Sequence, residues 1–409
     1  MSESRPSSII GMAALARCLI AGDNAAVWDG LSQRYQADTS DADALFDMAM
    51  LMRLTGKIDE SQTLQSAALR LRSSFTCRHA RGEALQVLVL VTGADVMANA
   101  PIDFLCEDAK VTLHFLHLDA AAPIELPPHD VTFVAIGQSE ANRPFLEPLV
   151  GVMKTWQGPV MNGAPERVLA MTRDATSEMF RDCPGVLAPA NLRALRGVVE
   201  DLAGGCDPAS LRGDFVHPML IRPLDTHGGK GLERIEDAAG WRGYLDRYAD
   251  EAFFLAPFVD YSNAQGWFPK LRITFIDGRA YATHMAVSDH WLAHYISAGM
   301  LESAEKRALE AAWMADFDQD FAVRHAGALA AIAERFGVDY FSIDCAETPD
   351  GRLLLFEADV ASIVHALDPI AVFPYKRAAM DTLFTGFVGA LQRRAQSAKD
   401  QSAGDQAAA

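Results

Sequence analysis

Apolar positions recur at helical spacing through Met12–Ile20, Ala25–Tyr35, Ala42–Leu54 and Asp59–Leu71, with breaks at Gly22, Thr39-Ser40 and Gly56. That pattern predicts four short amphipathic helices. At Leu85 the pattern changes. Leu85–Val91 and Val131–Ile136 are unbroken apolar runs with Val111–Leu116 between them, as in buried parallel strands of a small doubly wound α/β domain. Further on, His217–Arg222, Phe253–Val259, Leu271–Ile276 and Ala280–Val287 read as strands, the last two joined by a compact Asp277-Gly278 turn. Ala322–Phe336 predicts a helix with Ala326, Leu329, Ala333 and Phe336 on one side. Tyr340–Asp359 reads as two apolar strands joined by Pro349-Asp350-Gly351. Residues 394–409 lack large apolar side chains, which predicts a frayed, disordered tail.

The expected organisation is a helical region over residues 1–80, an α/β domain over 85–165 and a larger α+β domain over 166–393. Ala44–Glu60 followed by Ala67-Ala68-Leu69 resembles one tetratricopeptide repeat, with small residues where paired helices approach and Gly56 at the turn. A helical cap or docking module and a plain helical bundle both fit. The second region has no GxGxxG loop after its first strand; Thr92-Gly93-Ala94 is too short a signal for a dinucleotide.

Among 409 residues, 54 acids against 36 bases give a formal charge of −18, which argues against extended nucleic-acid binding but not against a nucleotide in a local basic pocket. Six cysteines without CxxC spacing suggest reduced thiols and a cytoplasmic protein, with no zinc framework. No run approaches a membrane span.

Chemistry concentrates in the last hairpin. Asp344 lies among Phe341, Ile343 and Cys345, while period-2 alternation puts Glu357 and Asp359 on one face of the partner strand. Three acids on apolar strands repel one another unless a cation lies between them, and an oxygen-only set favours Mg²⁺. An exposed hairpin with solvated acids is the plainer alternative. Upstream, Arg222-Pro223 ends a short apolar strand and precedes Gly228-Gly229-Lys230-Gly231. Such a loop lets backbone N–H groups approach phosphate oxygens while Lys230 neutralises charge, although it is not a Walker loop.

In order along the chain, the linker Asn162-Gly-Ala-Pro165, Thr172-Arg173-Asp174, Arg222-Pro223 with the glycine loop, Phe254–Asp260, Lys270-Leu271-Arg272 and Asp344…Glu357-x-Asp359 resemble the ATP-grasp superfamily over residues 85–390. The likeness is to ligases related to glutathione synthetase and the ribosomal-protein glutamate ligase. It implies an α+β ATP-grasp domain with a central lid subdomain at about 175–260, within an α/β chain that carries an N-terminal α-helical repeat-like domain. It implies ATP and one or two Mg²⁺ ions as cofactors. Arg173 and Arg222 take the places of two nucleotide-binding lysines. Ala256 and Phe258 meet the adenine edge through their backbones, and Asp260 reaches the ribose. Lys230 with Gly228, Gly229 and Gly231 covers the phosphates, Arg272 steadies the transferring phosphoryl group, and Asp344, Glu357 and Asp359 hold the metal. The implied reaction joins a small-molecule or peptide carboxylate to an amine. The departures are arginine for lysine twice, Pro257 in the hinge, Lys270 where the segment before Arg272 is acidic in the family, and Asp359 for asparagine.

His284, His290, Tyr295 and Lys376 are candidate acceptor-side residues, with Asp289 beside His290. His290 and His294 have the i,i+4 spacing of a zinc pair but lack an evident third ligand. Asp316, Asp318 and Asp320 lack the glycine and distal glutamate of an EF-hand and read as a solvated helix start. Three readings remain: a carboxylate–amine ligase, a nucleotide-binding scaffold that recruits a protein partner through its helices, and a phosphotransferase. A homodimer is compatible with all of them.

Overall fold

A computed structural model describes residues 8–80, 82–93, 98–224, 226 and 228–408. It has mixed α/β architecture and divides into two compact units: residues 1–169 with 338–341 and 360–409, and residues 170–337 with 342–359.

The first unit begins with helices α1 (Met12–Ala21), α2 (Asn24–Ala37), α3 (Ala42–Leu54) and α4 (Ile58–Leu71), within a residue or two of the expected spans. Asp41 caps α3 by accepting from the Ala44 N–H at 2.9 Å, and Arg34 grips the same carboxylate through two hydrogen bonds of 3.0 and 3.1 Å. Ala49 and Ala68 are buried, and Gly56 takes a left-handed φ of 79° at the α3–α4 turn. Strands β1 (Ser74–Arg78), β2 (Leu85–Val91), β3 (Val111–His117), β4 (Val131–Val134) and β5 (Val160–Met161) form a sheet in the order β1-β3-β2-β4-β5. The apolar runs pair in parallel as expected, while β1 joins antiparallel to β3 at the edge. Val87–Val91 are each at most 4% exposed. Burying each such side chain contributes about 1.5–3 kcal/mol. Phe46 of α3 stacks on Phe75 of β1 with ring centroids 4.2 Å apart, tying helices to sheet. Ala94 of the weak Thr92-Gly93-Ala94 signal lies outside the described residues.

The chain end corrects an expectation. Instead of fraying, residues 394–408 continue a helix, Lys376–Ala408, that belongs to the first unit. Phe387 is buried against Phe133 and Tyr340, and the segment beyond is rich in alanine and glutamine, which favour helix.

Asp47 on α3 is buried and accepts from the Ile10 and Gly11 N–H groups at 2.7 and 3.3 Å. Burial pushes its carboxyl up to about 7, beyond what the two N–H groups recover. A carboxyl raised in the folded state destabilises progressively as pH climbs from its unfolded value near about 3.9 towards the folded one. Asp47→Asn is therefore expected to remove a loss on the order of 3–4 kcal/mol between pH 4 and 7, read by urea denaturation across that range. An unchanged pH profile in the variant would refute this.

In the second unit the strands are β6 (Val186–Leu187), β7 (Leu192–Leu195), β8 (Met219–Pro223), β9 (Glu233–Ile235) and β10 (Ala252–Pro257). They are followed by β11 (Phe268–Ile276), β12 (Arg279–Ser288), β13 (Tyr340–Glu347) and β14 (Leu353–Asp359). One antiparallel sheet runs β7-β10-β8-β9, closed beneath by Trp241, Tyr244 and Phe215. The other runs β12-β11-β13-β14-β6. Asp277 and Gly278, at φ 50° and 79°, make the expected tight turn between β11 and β12. The expected helix over 322–336 is interrupted at His325, behind a π-helical turn at Phe317–Phe321. Asp318 and Asp320 there pair with Arg279 and Arg324, which fits a solvated turn.

Candidate nucleotide and metal site

Strand register brings the predicted acids together in part. Asp344 of β13 is directly opposite Glu357 of β14, whereas Asp359 is opposite Ser342. A bulge after Asp344 breaks the alternation there. Among the described residues, the three carboxylates do not converge within 4.8 Å of one another. The expected trio is thus a facing pair with Asp359 one register step away.

Each acid of that pair is held by cations. Arg272 of β11 forks onto Asp344, Nε to Oδ1 at 2.7 Å and a terminal nitrogen to Oδ2 at 3.1 Å. Lys270, two residues away on the same strand face, reaches Oδ2 at 2.7 Å. Arg173 pairs with Glu357. Burial raises both carboxyls, but the opposing charges win: Arg272 and Lys270 hold Asp344 well below the usual range, and Arg173 holds Glu357 low despite repulsion from Asp344. Burial, and then the charge of Arg173, lower the guanidinium of Arg222 to about 10. Arg222 donates to Thr226, from Nε to Oγ1 at 3.2 Å and from a terminal nitrogen to the backbone oxygen.

The glycine loop sits beside this charge cluster. Gly228, Gly229 and Gly231 have φ of 60°, 76° and 66°, a left-handed run that non-glycine residues rarely adopt. A Cβ on Gly228 would meet His294 Nε2 at 3.4 Å. Burial, then the charges of Lys270 and Arg272, depress the pKa of His294, which marks its closeness to those cations. Tyr244 Oη donates to the Gly231 carbonyl at 2.8 Å and anchors the loop's end. A Cβ on Gly231 would lie 2.7 Å from Pro223 Cδ. Gly231→Ala is expected to destabilise the protein by about 1–3 kcal/mol, since it adds a clash to a left-handed φ. Thermal denaturation measures this, and an unshifted midpoint refutes it.

Other predicted residues fall less simply. The Phe258 N–H already donates to the Pro218 carbonyl at 3.0 Å, and Ala256 is paired with Leu220 in the sheet. The Phe258 N–H is therefore committed within the protein, and its ring carries Arg234 stacked 4.1 Å above it. Asp260 is exposed and accepts from the Ser262 N–H at 2.8 Å. Lys230 is exposed. His284 is opposite Arg272 across β11–β12 and packs on Tyr295 at 4.8 Å. His290 Nδ1 accepts from the Leu292 N–H at 3.1 Å, and among the described residues it belongs to no three-ligand group with His294. Asp289 pairs with Lys306 at 2.8 Å. Lys376 is buried in the first unit and paired with Asp368 at 3.0 Å, so the carboxylate it meets is the chain's own.

Sequence reading set Lys270 aside as a departure, yet period-2 spacing with Arg272 was the signal for its role. Asn162 was read only as linker. It clamps the start of β13 instead, accepting from the Tyr340 N–H at 2.7 Å and donating to its carbonyl at 2.9 Å.

The facing pair suits a hard cation, because Mg²⁺ is usually held by one or two carboxylates plus substrate phosphates. The surrounding Lys270, Arg272, Arg173 and Arg222 are the groups a phosphate chain would recruit. Arg272 and Lys270 pair with Asp344, and Arg173 pairs with Glu357.

No family model and no curated protein matches this chain. It is similar to D-alanyl-alanine synthetase A from Vibrio cholerae at 12% identity, over 77% of this chain and 99% of that one, with a TM-score of 0.48. It is also similar to the D-alanine-D-alanine ligase from Coxiella burnetii at 11% identity, over 79% and 98%, with a TM-score of 0.46. A RimK domain protein ATP-grasp from Sphaerobacter thermophilus shares 13% identity over 74% and 99%, with a TM-score of 0.42. Among the described residues, no helix is long and apolar enough to cross a membrane.

Proposed function

We propose that this chain is an ATP- and Mg²⁺-dependent carboxylate–amine ligase of ATP-grasp type. The observation that carries the reading is the Asp344–Glu357 pair, embedded among Lys270, Arg272, Arg173 and Arg222 beside a left-handed glycine loop. Phosphoryl transfer needs positioning and charge neutralisation more than covalent help from the protein. Four cations against three acids leave a net positive cluster suited to a triphosphate. Asp344 and Glu357, with Asp359 adjoining, would hold Mg²⁺, which when bound supplies neutralisation of phosphate charge.

Arg173 and Arg222 orient the nucleotide phosphates, and Lys230 with the loop N–H groups covers them. Arg272, released from Asp344 as phosphate arrives, steadies the charge on the transferring group. A substrate carboxylate oxygen attacks the γ-phosphorus, the bond to ADP breaks, and an acyl phosphate forms. An amine then attacks the acyl carbon; inorganic phosphate leaves, the nitrogen loses a proton and an amide remains. Closure of the loop excludes water, which would otherwise hydrolyse the acyl phosphate. In this reading, the helices α1–α4 serve as a docking module for a peptide or protein substrate.

A second reading, nucleotide binding without ligation, is favoured by the full engagement of Asp344 by Arg272 and Lys270. Calorimetric ATP titration with and without Mg²⁺, followed by a screen for amine-dependent ADP release, separates the two. Mg²⁺-dependent ATP binding with amine-dependent ADP release is the expected result. ATP binding indifferent to Mg²⁺, with no turnover for any carboxylate and amine pair, would leave the scaffold reading. A stable phosphorylated product formed without amine would indicate a phosphotransferase.

A further inference from the structure

We propose that Cys77, His79 and Asp103, in the first unit and apart from the acidic hairpin, form a zinc site. Cys77 lies in β1, and His79 follows two residues later, just past the strand's end, where strand alternation would keep both on one face. Asp103 immediately precedes a 3₁₀ turn, Phe104–Cys106. Their ligand atoms all lie within 4.8 Å of one another. Asp103 Oδ1 is 2.8 Å from His79 Nε2 and 3.4 Å from Cys77 Sγ, and the sulfur is 3.8 Å from His79 Nε2.

Those separations are close to what an ion requires. Zinc bonds of about 2.3 Å to sulfur and about 2.0–2.2 Å to nitrogen and oxygen, at tetrahedral angles, separate neighbouring ligand atoms by roughly 3.3–3.7 Å. The sulfur–Asp103 edge, at 3.4 Å, already falls in that range, and the sulfur–His79 edge, at 3.8 Å, lies just outside it. The largest adjustment is at the His79–Asp103 edge, now a hydrogen bond, which must open by about 0.6 Å.

Three independent features prepare the place. Cys77 and Asp103 are 2% and 3% exposed, and the His79 side chain 8%, so the ligands start largely dehydrated. The second Asp103 oxygen accepts from the Ala13 N–H in the first turn of α1 at 2.6 Å, which fixes the carboxylate's orientation as an outer partner does for a metal ligand. Gly11, with φ 91°, leaves the space above the cluster open: a Cβ there would lie 2.6 Å from Cys77 Sγ and 3.0 Å from Asp103 Oδ2.

A thiolate, an imidazole and one carboxylate form a mixed set that suits zinc and not Mg²⁺, which takes oxygen ligands. Zinc replaces the thiol proton of Cys77, which passes to solvent, and water completes the fourth position. Bound there, the ion links β1 to the loop at Asp103, whose other oxygen accepts from Ala13 in the first turn of α1. Its effect is on stability, and it takes no part in nucleotide chemistry.

The test uses the full chain, freed of metal by chelation and then dialysed against zinc. Elemental analysis is expected to find about one zinc per chain. Cobalt in its place should give a sulfur-to-cobalt charge-transfer band that Cys77→Ser abolishes. His79→Gln and Asp103→Asn should each weaken zinc binding about 10-fold or more. Cys206→Ser, at an exposed thiol, should retain both zinc and the cobalt band. Absence of stoichiometric zinc, or of the cobalt band in the wild-type chain, overturns the proposal whether or not the variants fold. Zinc binding undiminished in all three ligand variants also overturns it. ATP titration of the zinc-free chain should be unchanged, so failure here and failure of the ligase reading are distinguishable.

Discussion

Replacing Asp344 with alanine is expected to destabilise the second unit by about 3–5 kcal/mol, because it strands the charges of Arg272 and Lys270 in a largely buried setting. Asp344 is 4% exposed and receives three short contacts from the two cations. The effect has a defined pH dependence. Native pairing holds the Asp344 carboxyl below its unfolded value near about 3.9, so its stabilisation is fully present above that pH and is lost as pH falls through the native value. Urea denaturation at pH 7 should therefore show the full gap between wild type and variant, and the gap should shrink in strong acid. A difference under about 1 kcal/mol at neutral pH, the range of an exposed pair, would mean that the pairing is weak. Arg272→Ala is the informative control. It leaves Lys270 to neutralise Asp344 and should cost less.

Substituting Glu357 with glutamine is expected to remove Mg²⁺-dependent ATP binding while keeping the fold. Glutamine retains an oxygen that can accept from Arg173, so the local network loses a charge and not a partner. If Glu357 is a direct metal ligand, the affinity lost should exceed the about 10–100-fold that follows loss of a residue behind a ligand. Calorimetry at fixed Mg²⁺ reads the loss, and circular dichroism checks the fold. Undiminished Mg²⁺-dependent binding would remove Glu357 from the metal site and, with it, the observation on which the ligase reading depends.

Much of the second unit was legible because its signals are local. Alternation and a Pro-Asp-Gly turn specified the acidic hairpin, and Asp277-Gly278 specified the turn before it. Three glycines in four residues marked a loop with left-handed backbone. The α1–α4 spans followed from apolar periodicity, and the apolar runs of the first sheet from their length. The misreadings share a cause. Strand register puts Asp344 opposite Glu357 and Asp359 opposite Ser342, and no sequence period records which residues face each other across a hairpin. Lys376 reads as an acceptor-side candidate because the sequence does not show that Asp368 and the ring of Phe373 enclose it. The terminal segment reads as frayed because its own composition is polar, whereas the helix is anchored upstream by Phe387 against Phe133 and Tyr340.

By itself the sequence marked the α1–α4 spans, the longer apolar strands, the turns at Gly56, Asp277-Gly278 and Gly228–Gly231, and which residues can carry phosphate and metal chemistry. These follow from steric limits on the backbone and from side-chain chemistry, both encoded within a few residues. Tertiary structure alone decided partnership: Arg272 and Lys270 on Asp344, Arg173 on Glu357, and Asp103 brought to Cys77 and His79 from 24 and more residues away. Charge pairing and metal geometry depend on distances of a few ångströms between residues far apart in sequence, and only the packed sheets fix those distances.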